Sequence, residues 1–258
     1  AGLTVSCSNA LRFLFLTSYI AIVRTGPSGQ AWQCFPWPCT LRLRSGDRTW
    51  GIRNYLGVAL PSALLMWSEW WVYEIMSLLA GLCGTTGLAA HTAVCNVLLV
   101  LFMVPSAMSG ATSALVGNAV GENDGAQARA VIRTACRFIV SVFIVLALLV
   151  LLFRRYLAYL FNTDPPVVAT FEKLCWIMSP FIVVDSLQTV LEGALMGLGL
   201  QRQATKAKLV SMLGVRLLGA YFLAFSAGLG VVGIWVGGLL GMVVTLTLYW
   251  RIVRFADV

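Results

Sequence analysis

The sequence predicts an all-α membrane protein, a polytopic bundle of about seven transmembrane helices. Its 258 residues are 59% hydrophobic and 11% charged, whereas soluble domains carry about 25% charged residues. A helix needs about 20 apolar residues to cross the hydrocarbon core of a bilayer, and seven runs approach or exceed that length. These runs are continuous rather than alternating, which favours helices over the strands of a membrane barrel.

The seven segments follow one another with short connections, apart from one long connection after the first. The chain begins with Ala1 and lacks the basic start and cleavage site of a signal peptide, so we expect it to be truncated at its N-terminus. The predicted segments are 3–23, 56–83, 88–116, 130–153, 167–198, 207–227 and 230–250.

The net charge of +8 is carried by basic residues in alternate connections. Positive residues favour the cytoplasmic side, so we expect an N-terminus outside and a C-terminus in the cytosol. The same charges are topology signals in a membrane protein, and we therefore expect no nucleic-acid partner. The basic residues on the predicted cytosolic side include Arg24, Arg42, Arg44, Arg48, Arg53, Arg129, Arg133, Arg137, Arg202, Lys206, Lys208, Arg251 and Arg254.

Glycines recur every four residues in two segments. Gly193 and Gly197 lie in the fifth segment, and Gly233, Gly237 and Gly241 lie in the last. Small residues at this spacing let helix backbones approach closely in a bilayer, where hydrophobic burial does not join helices. We expect these rows to be packing surfaces.

Glu69 lies in the middle of the second apolar segment, in the run LPSALLMWSEWWVYE. A charged side chain near the bilayer centre costs about 3 kcal/mol on insertion scales. Helical spacing places it on one polar line; the other members are Ser62, Tyr73 and Ser77. Glu74 is expected to point about 140° away from Glu69, on the side of Trp67, Trp70 and Trp71.

Other segments contain shorter polar faces. In the fifth segment this face comprises Asp185, Gln188, Thr189 and Glu192. In the third segment Thr92 and Asn96 are one helical turn apart. Such faces turn towards a bundle interior or a water-filled cavity, where a carboxyl group can bind a proton or a cation. A structural hydrogen-bonding role stays open for each acid, and for His91, the single histidine.

Motifs of enzymes and metal sites are absent from the sequence. It has no GxSxG, Walker A or HExxH motif, and its seven cysteines have no repeated CxxC spacing. We therefore expect neither an enzyme nor a cofactor or metal site.

Three stretches resemble the multidrug and toxic compound extrusion (MATE) transporters, and most closely the eukaryotic branch. They are the LPS-then-EWW helix at 60–74, the VGNAVGEND loop at 116–124, and DSLQTVLEGALMGLGLQ at 185–201. The resemblance implies the C-terminal portion of a twelve-helix protein, from helix six to helix twelve. Residues 1–24 would then be the last helix of the N-lobe, 25–55 a cytosolic inter-lobe loop, and 56–258 a six-helix C-lobe.

The resemblance also implies secondary active export of organic cations or xenobiotics in exchange for protons or sodium. Glu69, Asp185 and Glu74 would bind the proton or cation. Candidates for the substrate cavity are Tyr73, Trp70, Asn96 and Gln188. The implied partners are the lipid bilayer, a small organic cation, a proton or sodium ion, and the missing N-lobe.

The sequence departs from the family pattern at three positions. Asn96 stands where many relatives carry an acid, and Leu115 and Met196 each stand where the family pattern has an arginine. Three alternatives stay open: a lipid-linked precursor flippase, a seven-helix receptor and a non-functional fragment. A flippase would need a cavity lined with basic residues. The protein would be a multi-pass protein of the plasma membrane or of a vacuolar or other organelle membrane.

Overall fold

The structure is a computed structural model that describes residues 47–255, although the side chains of residues 47–55, 58, 61, 62, 65 and 66 lie outside the description. The predicted segment 3–23 also lies outside the described residues. The internal contacts divide the chain between Asn54 and Tyr55. All packing described below lies within the unit from Tyr55 to Val258.

The described residues form six consecutive helices, and the predicted all-α membrane fold is confirmed. Every predicted segment from the second to the last corresponds to one helix, although the helices are mostly longer than the apolar runs. The extra length comes from polar residues that flank each apolar run and continue its helix. The helices are α1 (Asp47–Leu82), α2 (Thr85–Gly121), α3 (Gly125–Phe161), α4 (Pro165–Gly197), α5 (Gln201–Ser226) and α6 (Gly230–Phe255).

Five of these helices, α2 to α6, are long and apolar enough to cross a membrane. Many large apolar side chains point outward, among them Leu78, Val100, Leu152 and Leu218, each about 70% exposed. A soluble monomer rarely exposes so much contiguous apolar surface. The outer surface of this bundle therefore suits a lipid environment.

The connection between α2 and α3 is shorter than predicted. Residues 116–121 of the predicted loop 116–124 continue α2, so only three residues join the helices. Asn123 has the left-handed backbone conformation (φ 57°) that ends many helices. The next residue, Asp124, begins α3, because its carboxylate accepts a hydrogen bond from the backbone N–H of Gln127 at 2.9 Å. The sequence END therefore ends one helix and starts the next.

Helix α4 occupies the centre of the bundle and packs against α2, α3 and α6. Its buried residues surround the whole helix, as expected for an element covered on all sides. The predicted glycine row on α4 is a packing surface, because a Cβ on Gly193 would overlap the backbone of Ser109 and one on Gly197 would lie 2.6 Å from the backbone oxygen of Ser113. Helices α2 and α4 are therefore in backbone contact.

A second close contact joins α5 to α6. A Cβ on Gly233 would lie 2.5 Å from the carbonyl carbon of Leu223, and Cβ atoms on Gly237 and Gly241 would overlap Ala220 and Arg216. Helix α5 is also wound loosely at Val210–Leu217 and Phe222–Ser226, which are π-helical. The predicted glycine row of the last segment is thus confirmed as the surface that holds α5.

We expect Gly237→Ala to destabilise the protein by about 1–3 kcal/mol, because the added methyl group forces the α5 backbone away from α6. Thermal unfolding of the purified chain in detergent measures the change. The matched control is Gly110→Ala in α2, where a Cβ meets no atom within 4 Å. That variant should be neutral or stabilised by up to about 1 kcal/mol. Equal unfolding temperatures for the two variants would contradict the packing role of Gly237.

Candidate functional site

A polar line on α1 faces a cavity inside the bundle. Glu69, Tyr73 and Ser77 follow one another at four-residue intervals, and all three line the cavity. This part of the predicted polar face is confirmed, whereas the side chain of Ser62 lies outside the described residues. The helical repeat alone accounts for the alignment, since residues four apart lie on one face.

The cavity has a volume of about 210 Å³ and is formed by α1, α2 and α4. Its walls combine aromatic and aliphatic side chains with three carboxyl groups. The lining residues are Glu69, Trp70, Tyr73, Glu74, Ser77, Cys95, Asn96, Leu98, Leu99, Phe102 and Asp185. Three of the four predicted cavity candidates, Tyr73, Trp70 and Asn96, are therefore on its wall.

Glu74, which was grouped with Glu69 and Asp185 as a candidate proton- or cation-binding residue, lies near Glu69 in the structure. Both carboxylates line the same cavity, although they lie on different sides of α1. The cavity is wide enough at α1 to include Trp70 and the exposed Glu74 as well as the Glu69 line. Trp67 and Trp71 are exposed on α1 as Glu74 is, but unlike Glu74 they do not line the cavity.

Asp185 reaches the cavity from α4, the central helix. It is 7% exposed, and its Oδ1 atom has no hydrogen-bond partner among the described protein atoms. Gln188, one turn further along, is 1% exposed and is not among the lining residues. The structure therefore brings Asp185 to Glu69 and Glu74 and leaves Gln188 buried outside the cavity wall.

Glu69 is paired with Lys208, whose positive charge predicts a position in a cytosolic connection. The Nζ atom of Lys208 lies 3.0 Å from Oε2 of Glu69 and 2.7 Å from Oε2 of Glu192. Lys208 is fully buried, so its interpretation as a loop charge is wrong. The predicted segment 207–227 already contains Lys208, and in the structure the helix begins at Gln201. The side chain is buried because it faces Glu69 of α1 and Glu192 of α4.

The pairing of Lys208 has a weak signal in the sequence. Ala204, Lys208 and Ser211 are spaced by four and three residues, and all are buried on the inner face of α5. Residues at this spacing share one helix face, and small residues such as Ala204 and Ser211 are typical of a face that packs closely against other helices. The positive charge of Lys208, taken alone, favours an exposed loop.

A second buried cation lies behind the cavity wall. The guanidinium carbon of Arg216 is 4.5 Å from the ring centre of Tyr73 and 5.7 Å from that of Phe181. Arg216 is fully buried, and its Nε and Nη2 atoms have no hydrogen-bond partner among the described protein atoms. Arginine stacks well on aromatic faces, and this contact fixes Tyr73 against the wall.

His91 joins α2 to α1 beside the cavity. Its Nε2 atom lies 3.0 Å from Oγ of Ser77, and its ring lies 5.4 Å from that of Trp235. The histidine is completely buried. It therefore has at least one structural partner, and a functional role for it stays a hypothesis.

Comparison with known proteins gives one family. The family model described as MatE matches residues 61–222. "Multidrug and toxin extrusion protein 1" of Homo sapiens is 30% identical over 184 residues, which cover 71% of this chain and 32% of the relative. "Probable multidrug resistance protein NorM" of Bradyrhizobium diazoefficiens is 34% identical over 190 residues, which cover 72% of this chain and 40% of that protein.

Solved structures agree in fold. The eukaryotic MATE transporter AtDTX14 superimposes with a TM-score of 0.81 at 23% identity, covering 93% of this chain and 53% of that one. A MOP superfamily transporter from Pyrococcus furiosus gives a TM-score of 0.70 at 18% identity, with 78% and 44% covered. The chain thus spans about a third of the length of the human relative and about half of the solved chains.

The resemblance found in the sequence motifs is confirmed by these matches, and the five apolar helices agree with it. This chain therefore belongs to the MatE family of multi-pass integral membrane proteins.

Proposed function

We propose that this chain forms the C-terminal lobe of a secondary active transporter that exports organic cations in exchange for protons or sodium. The observation that carries the proposal is the cavity with three carboxyl groups, Glu69, Glu74 and Asp185. Acids in such a place attract positive charge, because removing a charged group from water favours pairing with an opposite one. Relatives named as multidrug extrusion proteins support the same class of activity.

The aromatic wall suits an organic cation. Trp70, Tyr73 and Phe102 line the cavity beside the acids, and aromatic faces attract cations within about 6 Å of the ring centre. Asn96 adds an uncharged hydrogen-bonding group. Glu69, Asp185 and Glu74 are the proposed binding carboxylates, and Glu74 is the exposed one of the three.

A flippase of the wider superfamily is less well supported. Substrates with phosphate groups need basic residues in the cavity. Among the described residues, the lining set contains three acids and neither lysine nor arginine. The two buried cations, Lys208 and Arg216, pair with carboxylates and aromatic rings behind the wall. Cations are therefore the substrates that the cavity favours.

Exchange follows if the proton and the organic cation compete for the same carboxylates. A carboxylate that has taken up a proton no longer attracts an organic cation, so each occupant expels the other. Alternating access in such transporters moves one half of the protein against the other around a central site. A cavity of about 210 Å³ is smaller than the roughly 300–1,000 Å³ of typical drug sites. We propose that a second lobe completes it.

The proposed lobe arrangement follows the predicted boundaries. Residues 1–24 would end the N-lobe, residues 25–55 would connect the lobes, and residues 56–258 would form the C-lobe. The length of the native polypeptide tests this arrangement. A product with about twelve helices is expected, and a stable short product that transports would contradict the need for a second lobe.

Binding of a lipophilic cation to the purified chain tests the site directly. We expect radiolabelled tetraphenylphosphonium to bind the chain in detergent, and Glu69→Gln or Asp185→Asn to weaken binding by about tenfold or more, since each removes a negative charge from the cavity. The control is Glu122→Gln, an exposed acid between α2 and α3. Loss of affinity in the control equal to that in Glu69→Gln would point to a general charge effect instead.

Transport tests the exchange. In vesicles containing the complete two-lobe transporter, an imposed pH gradient should drive movement of a fluorescent organic cation. Glu69→Gln should abolish that movement, because an amide neither binds the proton nor attracts the cation. Transport by Glu69→Gln at the normal rate would remove Glu69 from the mechanism.

A further inference from the structure

The ammonium group of Lys208 joins three helices of the bundle. Its Nζ atom contacts Glu69 of α1 at 3.0 Å and Glu192 of α4 at 2.7 Å, and Lys208 itself belongs to α5. The hydroxyl group of Tyr249, on α6, donates to the same oxygen of Glu192 at 3.3 Å. We name Lys208, Glu69, Glu192 and Tyr249 the lysine cluster.

The cluster holds an unequal number of charges. Two carboxylates face one ammonium, so the ionised cluster carries one net negative charge. Burial makes such an imbalance costly, because charges removed from water need compensation. Lys208 has no exposed surface, and the side chains of Glu69 and Glu192 are 17% and 13% exposed. One proton or one monovalent cation would balance the cluster.

The two carboxylates are not equivalent. Glu192 accepts from two donors, Lys208 and Tyr249, and does not line the cavity. Glu69 has the longer contact with Lys208 and lies on the cavity wall. An incoming positive charge therefore meets Glu69 first, and Lys208 keeps a partner in Glu192 when Glu69 turns to the newcomer.

We propose that Lys208 is a built-in competitor for the cation site, a specificity-determining residue that sets how tightly Glu69 binds a proton or an organic cation. The proposal rests on the proposed function, since it assumes that Glu69 binds positive charge. With the cavity empty, the lysine neutralises part of the charge of Glu69. When a cation enters, the ammonium stays on Glu192, so no buried lysine is left unpaired. The lysine thereby weakens binding enough for release.

Removing the competitor should tighten binding. At alkaline pH, where the carboxyl groups are ionised, we expect the purified Lys208→Met chain in detergent to bind tetraphenylphosphonium at least about tenfold more tightly than the unaltered chain. The matched control is Lys206→Met, the same substitution at an exposed position on α5, which should bind as the unaltered chain does.

Removing the second carboxylate should act in the opposite direction. In Glu192→Gln, Lys208 keeps only Glu69 as its carboxylate partner in the cluster, so we expect binding to weaken at least about threefold although residue 192 is outside the cavity. A merely structural role for the cluster predicts weaker binding in both variants. Weaker or unchanged binding in folded Lys208→Met, or tighter binding in Glu192→Gln, would overturn the proposal. Circular dichroism and a single symmetrical elution peak establish folding. If Lys208→Met does not fold, Lys208→Gln, which removes the charge but keeps a hydrogen-bond donor for Glu192, takes its place with the same expectation of tighter binding.

The variants separate this proposal from the proposed function. If Glu69→Gln binds the probe as well as the unaltered chain, the cation site itself is wrong and the competitor role falls with it. If Glu69→Gln loses binding while Lys208→Met gains none, the cation site stands and only the role of Lys208 is overturned.

Discussion

The backbone contact between α5 and α6 positions both buried cations of the bundle. Gly233, Gly237 and Gly241 leave three successive turns of α6 without a side chain towards α5, so that the α5 backbone lies directly on these positions. Van der Waals packing of this kind is one of the interactions that join helices in a bilayer, beside interhelical hydrogen bonds and lipid entropy. It also sets the distance from Lys208 and Arg216, on α5, to the carboxylates and aromatic rings of the neighbouring helices. Without that contact the charge pairs would lose their geometry.

The buried charged side chains are placed so that opposite charges compensate one another. Lysine, arginine and acidic side chains are buried together, and each described pair joins different helices. Buried ion pairs often contribute little net stability, because desolvation offsets their attraction. Their presence here is better understood through the cavity, where acids must stay available to a ligand without an unpaired charge remaining in the core. Positive charge behind the wall and negative charge on its surface satisfy both requirements.

Much of this arrangement was predictable from local pattern. Apolar runs gave the number and order of the described helices, four-residue spacing gave the glycine contacts and the Glu69 line, and the motif at 185–201 pointed to Asp185. The partner of Glu69 was not predictable in this way. Lys208 follows Arg202 and Lys206 in a basic stretch, and its small neighbours Ala204 and Ser211 are a weak signal of burial. The tertiary contacts with α1 and α4 are what identify its partners. The helical angle between Glu69 and Glu74 likewise did not show that one cavity includes both side chains, since that angle does not give the width of a cavity.

The loose winding of α5 has a geometric consequence for its two cations. Eight residues separate Lys208 from Arg216, and in a regular α-helix their directions would differ by roughly 80°. The stretch Val210–Leu217 is π-helical, so each of its residues turns through a smaller angle. The two side chains therefore share one inward face more nearly than their spacing suggests. The smaller rotation per residue in this stretch thus brings the two side chains closer to one direction. It lets a single helix present two positive charges to the same wall.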